Sequence, residues 1–269
     1  MRRFWQLGQR FWRQIRVLLS VNYAYMVEYR AELLLWVLAS VLPFILMGVW
    51  MEASAGGRFG LSPLDFARYF LAAFIARQFT IVWVIWEFER EVVEGRLSPR
   101  LLQPIDPLWH HVTSHISERF ARLPFAIVLV IIFFLLYPQA FWIPSFTGAM
   151  LFCLAAGMAF ALRFLMQYTF ALFAFWTERA SALEQFWFLL YLFLSGLIAP
   201  LEVFPPALRQ IVEWTPFPYM IHLPAALLVG IPVNVGRSLL VMVGWGVVFF
   251  IWNRWLWRKG LKQYSGMGA

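Results

Sequence analysis

Two arginines stand inside long apolar runs, where no water-facing surface accounts for them. Arg77 lies about eleven residues into a run that starts near Phe66, and Arg163 is similarly central in the run 147–175. At about 1.5 Å per residue, both fall near the middle of a hydrocarbon layer about 30 Å thick. A guanidinium there costs at least about 3 kcal/mol even on the lenient insertion scale, so each must face a bundle interior or a wet cavity. Gln78 and Gln167 are their nearest polar neighbours in sequence, and no Asp or Glu lies mid-run to neutralise either. Two readings stand. The four residues line a path for an anionic substrate, such as a phosphate-bearing lipid or an acidic glycan, or they make hydrogen bonds that fix helix packing.

Other chemistries have less support. His111 and His115 share a helix face with His110 beside them, which makes a metal site sterically conceivable. No second cluster supplies clear carboxylate or thiol ligands, so solvated or packed histidines are the expectation and no metal is. His222 stands alone in a Pro-rich stretch and reads as a hydrogen-bonded side chain. The only lysines are Lys259 and Lys262, and neither sits in a glycine loop that could cradle phosphates. HExxH, GxSxG and CxxC arrangements are also missing, so the chain reads as a non-enzyme without a cofactor of its own. Any ATP and Mg belong to a partner.

The elements that must hold these residues are membrane helices. The chain is 62% hydrophobic and 13% charged, against roughly 25% charged for a soluble domain, which makes it an all-α integral membrane protein forming a single bundle. Spanning segments are expected at about 31–51, 66–86, 120–137, 147–175, 185–201 and 236–256, each long enough to cross. Before them, Phe4, Leu7, Phe11, Ile15 and Leu18 make one apolar face over residues 1–20, with Arg10, Arg13 and Arg16 on other faces. That pattern fits an interfacial helix; a helix packed on a partner protein is the alternative. The lone Cys153 excludes an internal disulfide framework.

Charge orients the bundle. Arg2, Arg3, Arg10, Arg13, Arg16 and Arg30 precede the first span, Arg90, Arg96, Arg100 and Arg119 fall in the second loop, Arg179 is in the fourth, and Arg254, Arg258, Lys259 and Lys262 close the chain. The other side offers Arg58, Arg68, Arg209 and Arg237. By the positive-inside bias, both termini are cytoplasmic and the formal charge of +8 reflects topology, with no nucleic-acid partner implied.

Two loops break the pattern. Residues 87–111, EFEREVVEGRLSPRLLQPIDPLWHH, form the one long polar interruption. Glu87 to Glu94 should carry the second helix into water, and Gly95 should break it. Ser98 and Pro99 should start a short helix that Pro104 and Pro107 end. Leu97, Leu101 and Leu102 would then form an apolar ridge that only a partner can cover. Residues 195–230 are too apolar for water and too broken to span. Pro200, Phe204, Pro205, Pro216 and Tyr219 mark a re-entrant outer gate, or a passive cap on the outer leaflet.

GRLSPRLLQP resembles the cytoplasmic loop of ABC-2 type transporter permeases. GLIAPLEVFPP, the Pro216–Tyr219 run and LLVG are similar to the external region before that family's last span. EYRAELLL and WRKGLKQYSGMGA look like a bacterial subgroup with paired permeases. The resemblance implies a plasma-membrane export permease working with two cytoplasmic ATPase subunits and a second permease, identical or paralogous. It also implies that Glu94, Gly95, Leu97, Leu101, Leu102 and Pro104 couple the chain to the ATPase. A membrane anchor that recruits a cytoplasmic partner without transport is the alternative. A lipid-acting enzyme lacks a catalytic constellation.

Overall fold

A computed structural model describes residues 2–57 and 59–264 of the chain, with side chains from residue 8 onward. Arg58, the side chains of Arg2, Arg3 and of Phe4 and Leu7 of the expected apolar face, and the last five residues of the C-terminal motif lie outside what the structure describes. Among the described residues every regular element is helical.

Helix α1 (Arg2–Glu28) runs past the 20 residues expected of it and packs along α7 (Leu108–Leu136). Phe11 meets the edge of Trp109, Ile15 is buried, Asn22 Nδ2 donates to Thr113 Oγ1 at 3.1 Å, and Ser117 Oγ donates to the Leu19 carbonyl at 3.0 Å. Arg10, Arg13 and Arg16 stay exposed. The first apolar run is two helices, α2 (Arg30–Leu38) and α3 (Leu42–Ser54). Pro43, whose ring disfavours a helical residue before it, sets that break.

Helix α4 (Pro63–Thr80) starts on a capping box: Ser62 accepts from the Asp65 N–H, and the Asp65 carboxylate accepts from the Ser62 N–H. It stops well short of the expected 86, and α5 (Val84–Val93) follows after three non-helical residues. Neither Pro nor Gly lies there. The β-branched run Thr80, Ile81, Val82, Val84 and Ile85 weakens helical preference, and α7 supplies partners for the freed peptide groups. Arg119 Nε donates to the Phe79 carbonyl at 2.6 Å, and its Nη2 donates to the Ile81 carbonyl at 2.8 Å. The Trp83 N–H donates to His115 Nε2 at 3.2 Å. Arg119 is therefore a buried clamp within α7, not a loop charge, and α7 begins twelve residues before the expected 120.

After Gly95, at φ +72°, comes the five-residue α6 (Leu97–Leu101). Helix α8 (Phe146–Ala171), capped by Ser145, continues as a 3₁₀ turn through Phe175. The expected fifth span is α9 (Ala182–Leu194), whose 13 residues reach only about 20 Å. Beyond it the Pro-rich stretch folds into α10 (Pro206–Val212) and α11 (His222–Val229), with α11 wedged between α4 and α8. Helix α12 (Val235–Gln263) closes the described chain against α8. By length and composition, five helical segments among the described residues can cross a membrane.

Gly196 pins α9 to this core. At φ +86° its backbone excludes most side chains, and a Cβ would lie 2.5 Å from the Tyr69 hydroxyl and 2.6 Å from His222 Cβ. Tyr69 itself donates to the Gly196 carbonyl at 2.7 Å.

The clamp yields a stability prediction. Hydrogen bonds from a charged donor contribute about 1.5–3 kcal/mol each. Arg119→Gln should therefore destabilise the solubilised chain by about 2–4 kcal/mol, with Arg119→Lys intermediate because an ammonium cannot fork across two carbonyls. Thermal unfolding in detergent measures this, and wild-type stability in Arg119→Gln would refute the clamp.

Candidate functional site

The α5–α6 elbow is tied inward more than its sequence suggests. Glu87 and Glu91 do not lead a helix into water; they meet α7. His111 Nδ1 lies 3.2 Å from Glu87 Oε2, and His111 Nε2 lies 3.3 Å from Glu91 Oε2. Arg100 Nη1, from α6, reaches Glu91 Oε1 at 2.7 Å. Glu87 also approaches His115 at 3.8 Å, and His115 holds the Trp83 N–H. Close charged approaches thus lead from α6 to α5 and α7, with hydrogen bonds at His111 Nδ1–Glu87 and Trp83–His115. Glu89 accepts from the Ser181 N–H and, at 3.0 Å, from its hydroxyl, which ties α5 to the segment leading into α9.

The predicted leucine ridge divides. Leu97 is 0% exposed and packs with Phe88, Val92, Leu172 and Phe175, so it belongs to the chain's own core. Leu102 is 88% exposed and Leu101 also faces outward. Ser98 is not a cap, because α6 already includes Leu97; its hydroxyl lies 3.0 Å from that of Tyr264 at the end of α12. Glu94 pairs with Arg96 on the exposed surface, Gly95 makes the turn, and Pro104 is exposed beyond α6. The outward tip is Leu101, Leu102 and Pro104, standing on an anchored base.

The mid-span arginines form part of a buried cationic layer. Arg163 is 3% exposed, with its guanidinium carbon 4.1 Å from the Tyr191 ring centre and 5.5 Å from that of Trp187, both on α9. Arg77 of α4 is half-buried with its Nε shielded from solvent, and Arg122 of α7 supplies a further buried guanidinium. Arg122 is 1% exposed and lies 3.5 Å from Glu118. Gln167, one turn from Arg163 on α8, donates at 2.8 Å to Glu184 Oε1 in the first turn of α9, whose Oε2 has no hydrogen-bond partner. Gln78, also buried, is turned about 100° from Arg77 around α4.

Several buried donors in this layer have no protein acceptor: Arg77 Nε, Arg122 Nε and Nη2, and Arg163 Nε and Nη1. The Gln78 amide is likewise unpartnered. Such a layer can donate several hydrogen bonds to an anion. Reading one run at a time missed Arg122, Glu118, Glu184, Trp187 and Tyr191. The spacing of Glu118 and Arg122 by one helical turn was the available signal.

The residues expected at the outer gate differ in exposure. Pro200, Pro216 and Tyr219 are buried, Phe204 is half-buried and Pro205 is exposed. Tyr219 donates to the Glu213 carbonyl. Among the described residues, no group of three or more His, Cys, Asp or Glu is arranged to hold a metal ion, and His111 and His115 are engaged by Glu87, Glu91 and Trp83.

No curated protein matches the sequence. A family model described as ABC-2 family transporter protein matches residues 64–268, from the second apolar segment to the penultimate residue. That family supplies the multi-pass membrane component of transporters that associate with ATPase subunits, and a bacterial inner-membrane location fits it. With most of its length matched and its apolar helices able to cross a bilayer, the chain belongs to the ABC-2 family of transporter proteins.

Proposed function

We propose that the chain is a single-domain export permease: it receives force from cytoplasmic ATPase subunits at α6 and moves an amphiphilic substrate, lipid-like or glycan-bearing, out of the cell. The carrying observation is an exposed apolar tip, Leu101 and Leu102, on an elbow fixed by Arg100, Glu91, His111 and Glu87. An exposed leucine pair on a rigid base suits a groove on another protein. The ATPase subunits, two per assembly, carry the ATP and Mg. A second permease, identical or paralogous, completes the membrane path.

In this reading the chain crosses six times, with α9 and the turn after it making the fifth crossing, and both termini are cytoplasmic. The arginine distribution supports that orientation even with Arg119 withdrawn from the count. The stretch from Pro200 to Tyr219 closes the outer end. Arg77 and Arg163, joined by Arg122, line the path for an anionic part of the substrate, with Gln78 and Gln167 as neutral donors. A non-transporting anchor would need no such layer, because buried cations cost stability that apolar packing avoids.

Three measurements test this function. With Leu101→Ala and Leu102→Ala together, the protein should insert normally but lose the ATPase in pull-downs or lose transport in vesicles by at least about tenfold, since truncating a packed Leu costs about 2–5 kcal/mol. Wild-type values for both would remove α6 from the mechanism. Arg163→Gln should cut transport while ATPase association and basal hydrolysis persist; loss of insertion instead would assign Arg163 to packing. In a Cys153→Ser background, Leu102→Cys should react with an impermeant thiol reagent from the cytoplasmic side and Ala207→Cys from outside. Labelling of Leu102→Cys in intact cells would reverse the orientation.

A further inference from the structure

The end of the bundle away from α6 holds a cavity of about 200 Å³ that the coupling geometry does not use. Tyr264 of α12 touches α6, whereas the cavity lies at the start of that helix, about 40 Å away along its axis. Arg209, Glu213, Tyr219, His222 and Arg237 contribute its polar walls. Beside it a groove of about 550 Å³ runs down α12, lined by Trp214, Leu240, Trp245 and Val248. Asn234 and Arg237 belong to both.

The charges at this end balance. Glu213 takes Arg237 Nη1 at 2.9 Å on one oxygen and Arg209 Nε at 3.0 Å on the other. Arg209 continues to Glu202 at 3.6 Å, and His222 Nε2 lies 3.5 Å from the same carboxylate. Burial pushes the His222 imidazole below its usual pKa, so two arginines and two glutamates carry the charge near neutral pH. Both Glu202 oxygens are buried without a hydrogen-bond donor, and Arg237 Nε is buried without an acceptor. The Arg237 guanidinium rests 4.9 Å from the Trp214 ring centre, at the junction of cavity and groove.

We propose that the cavity and groove together bind a membrane phospholipid whose headgroup carries a phosphate and a primary ammonium. Along such a lipid the order is ammonium, phosphate, acyl chain. Along the protein it is the Glu213 carboxylate in the cavity, Arg237 at the junction, then the apolar wall of α12. The two orders match. A purely anionic headgroup would meet Glu213 unfavourably, and a quaternary ammonium has no N–H to donate to its carboxylate. The exposed faces of Leu240 and Trp214 leave the groove open toward surrounding lipid. This site goes beyond the transport reading and rests only on membrane insertion.

The test uses the solubilised permease without any ATPase, so its outcome is independent of whether the chain exports anything. After delipidation, the protein is offered equal amounts of phosphatidylethanolamine, phosphatidylcholine and phosphatidylglycerol with identical acyl chains, and retained lipid is read by native mass spectrometry. Phosphatidylethanolamine should be favoured by about tenfold, a difference of about 1.4 kcal/mol. Arg237→Gln should abolish the preference. Gly244 also lines the groove, and a Cβ there meets nothing within 4 Å, so Gly244→Phe should fill the groove, with thermal unfolding reporting whether the fold is kept. Equal retention of the three lipids by the wild type, or a preference that survives Gly244→Phe in protein of wild-type thermal stability, overturns the proposal.

Discussion

A bilayer offers no water to a peptide group that leaves a helix, and this constraint organises the interior of the protein. Between Thr80 and Val84 the second apolar segment gives up its regular hydrogen bonds, and Arg119 and His115 of α7 replace them. Arg119 is held in turn, donating to the His115 carbonyl through Nη1 and lying over the Phe160 ring of α8 at 3.8 Å. One guanidinium thus joins α4, α7 and α8 at a single level. Replacing it with an apolar side chain of similar length would leave two carbonyls unsatisfied in a low-dielectric setting, the costly half of any hydrogen bond. The positions of α5, and of α6 beyond it, follow from this junction.

How much of this was legible in the sequence depended on whether the cause was local. Ser62 and Pro63, Gly95 and the prolines after residue 200 act on the backbone within a few residues, so their effects could be read from the chain. The break at 81–83 could not. Its local signal is only a β-branched run, and similar runs pass through spanning helices without interruption. What decides it is Arg119, nearly 40 residues away, whose placement in a loop followed from counting charge without knowing its partner. Leu97 failed for the same reason. Its spacing put it on a ridge with Leu101 and Leu102, but the cover came from Leu172 and Phe175, far along the chain. Glu184 lies just outside the run expected from 185, and only the fold brings Gln167 of α8 against it.

Charge is handled differently at the end away from α6 and in the interior. At that end, Arg209, Arg237, Glu202 and Glu213 neutralise one another within a small volume. In the interior, Arg77, Arg119, Arg122 and Arg163 have one carboxylate within 4 Å among the described residues, Glu118 at 3.5 Å from Arg122. Aromatic faces take up part of the difference: Arg122 over Trp83, Arg163 over Tyr191 and Arg119 over Phe160. A ring attracts a cation without fixing its donors, so several N–H groups stay without acceptors. That separates the packing role of these arginines from the capacity they retain for an anion.

The ties also constrain how a push on α6 can travel. Because Arg119 and His115 bind the backbone on both sides of the α4–α5 break, bending there would require exchanging several charged or buried hydrogen bonds at once. The break therefore behaves as a stiff junction, and α5, α7 and the break move together. Glu89 extends this unit to Ser181, three residues before Glu184. Displacement of α6 would reach the first turn of α9 by that route, and with it the Glu184 carboxylate that accepts from Gln167. The first apolar run also breaks, at Ala39–Val41 just before Pro43, but there turn hydrogen bonds from Ser40 and Val41 to Val37 and Leu38 carry the chain across without a side-chain clamp.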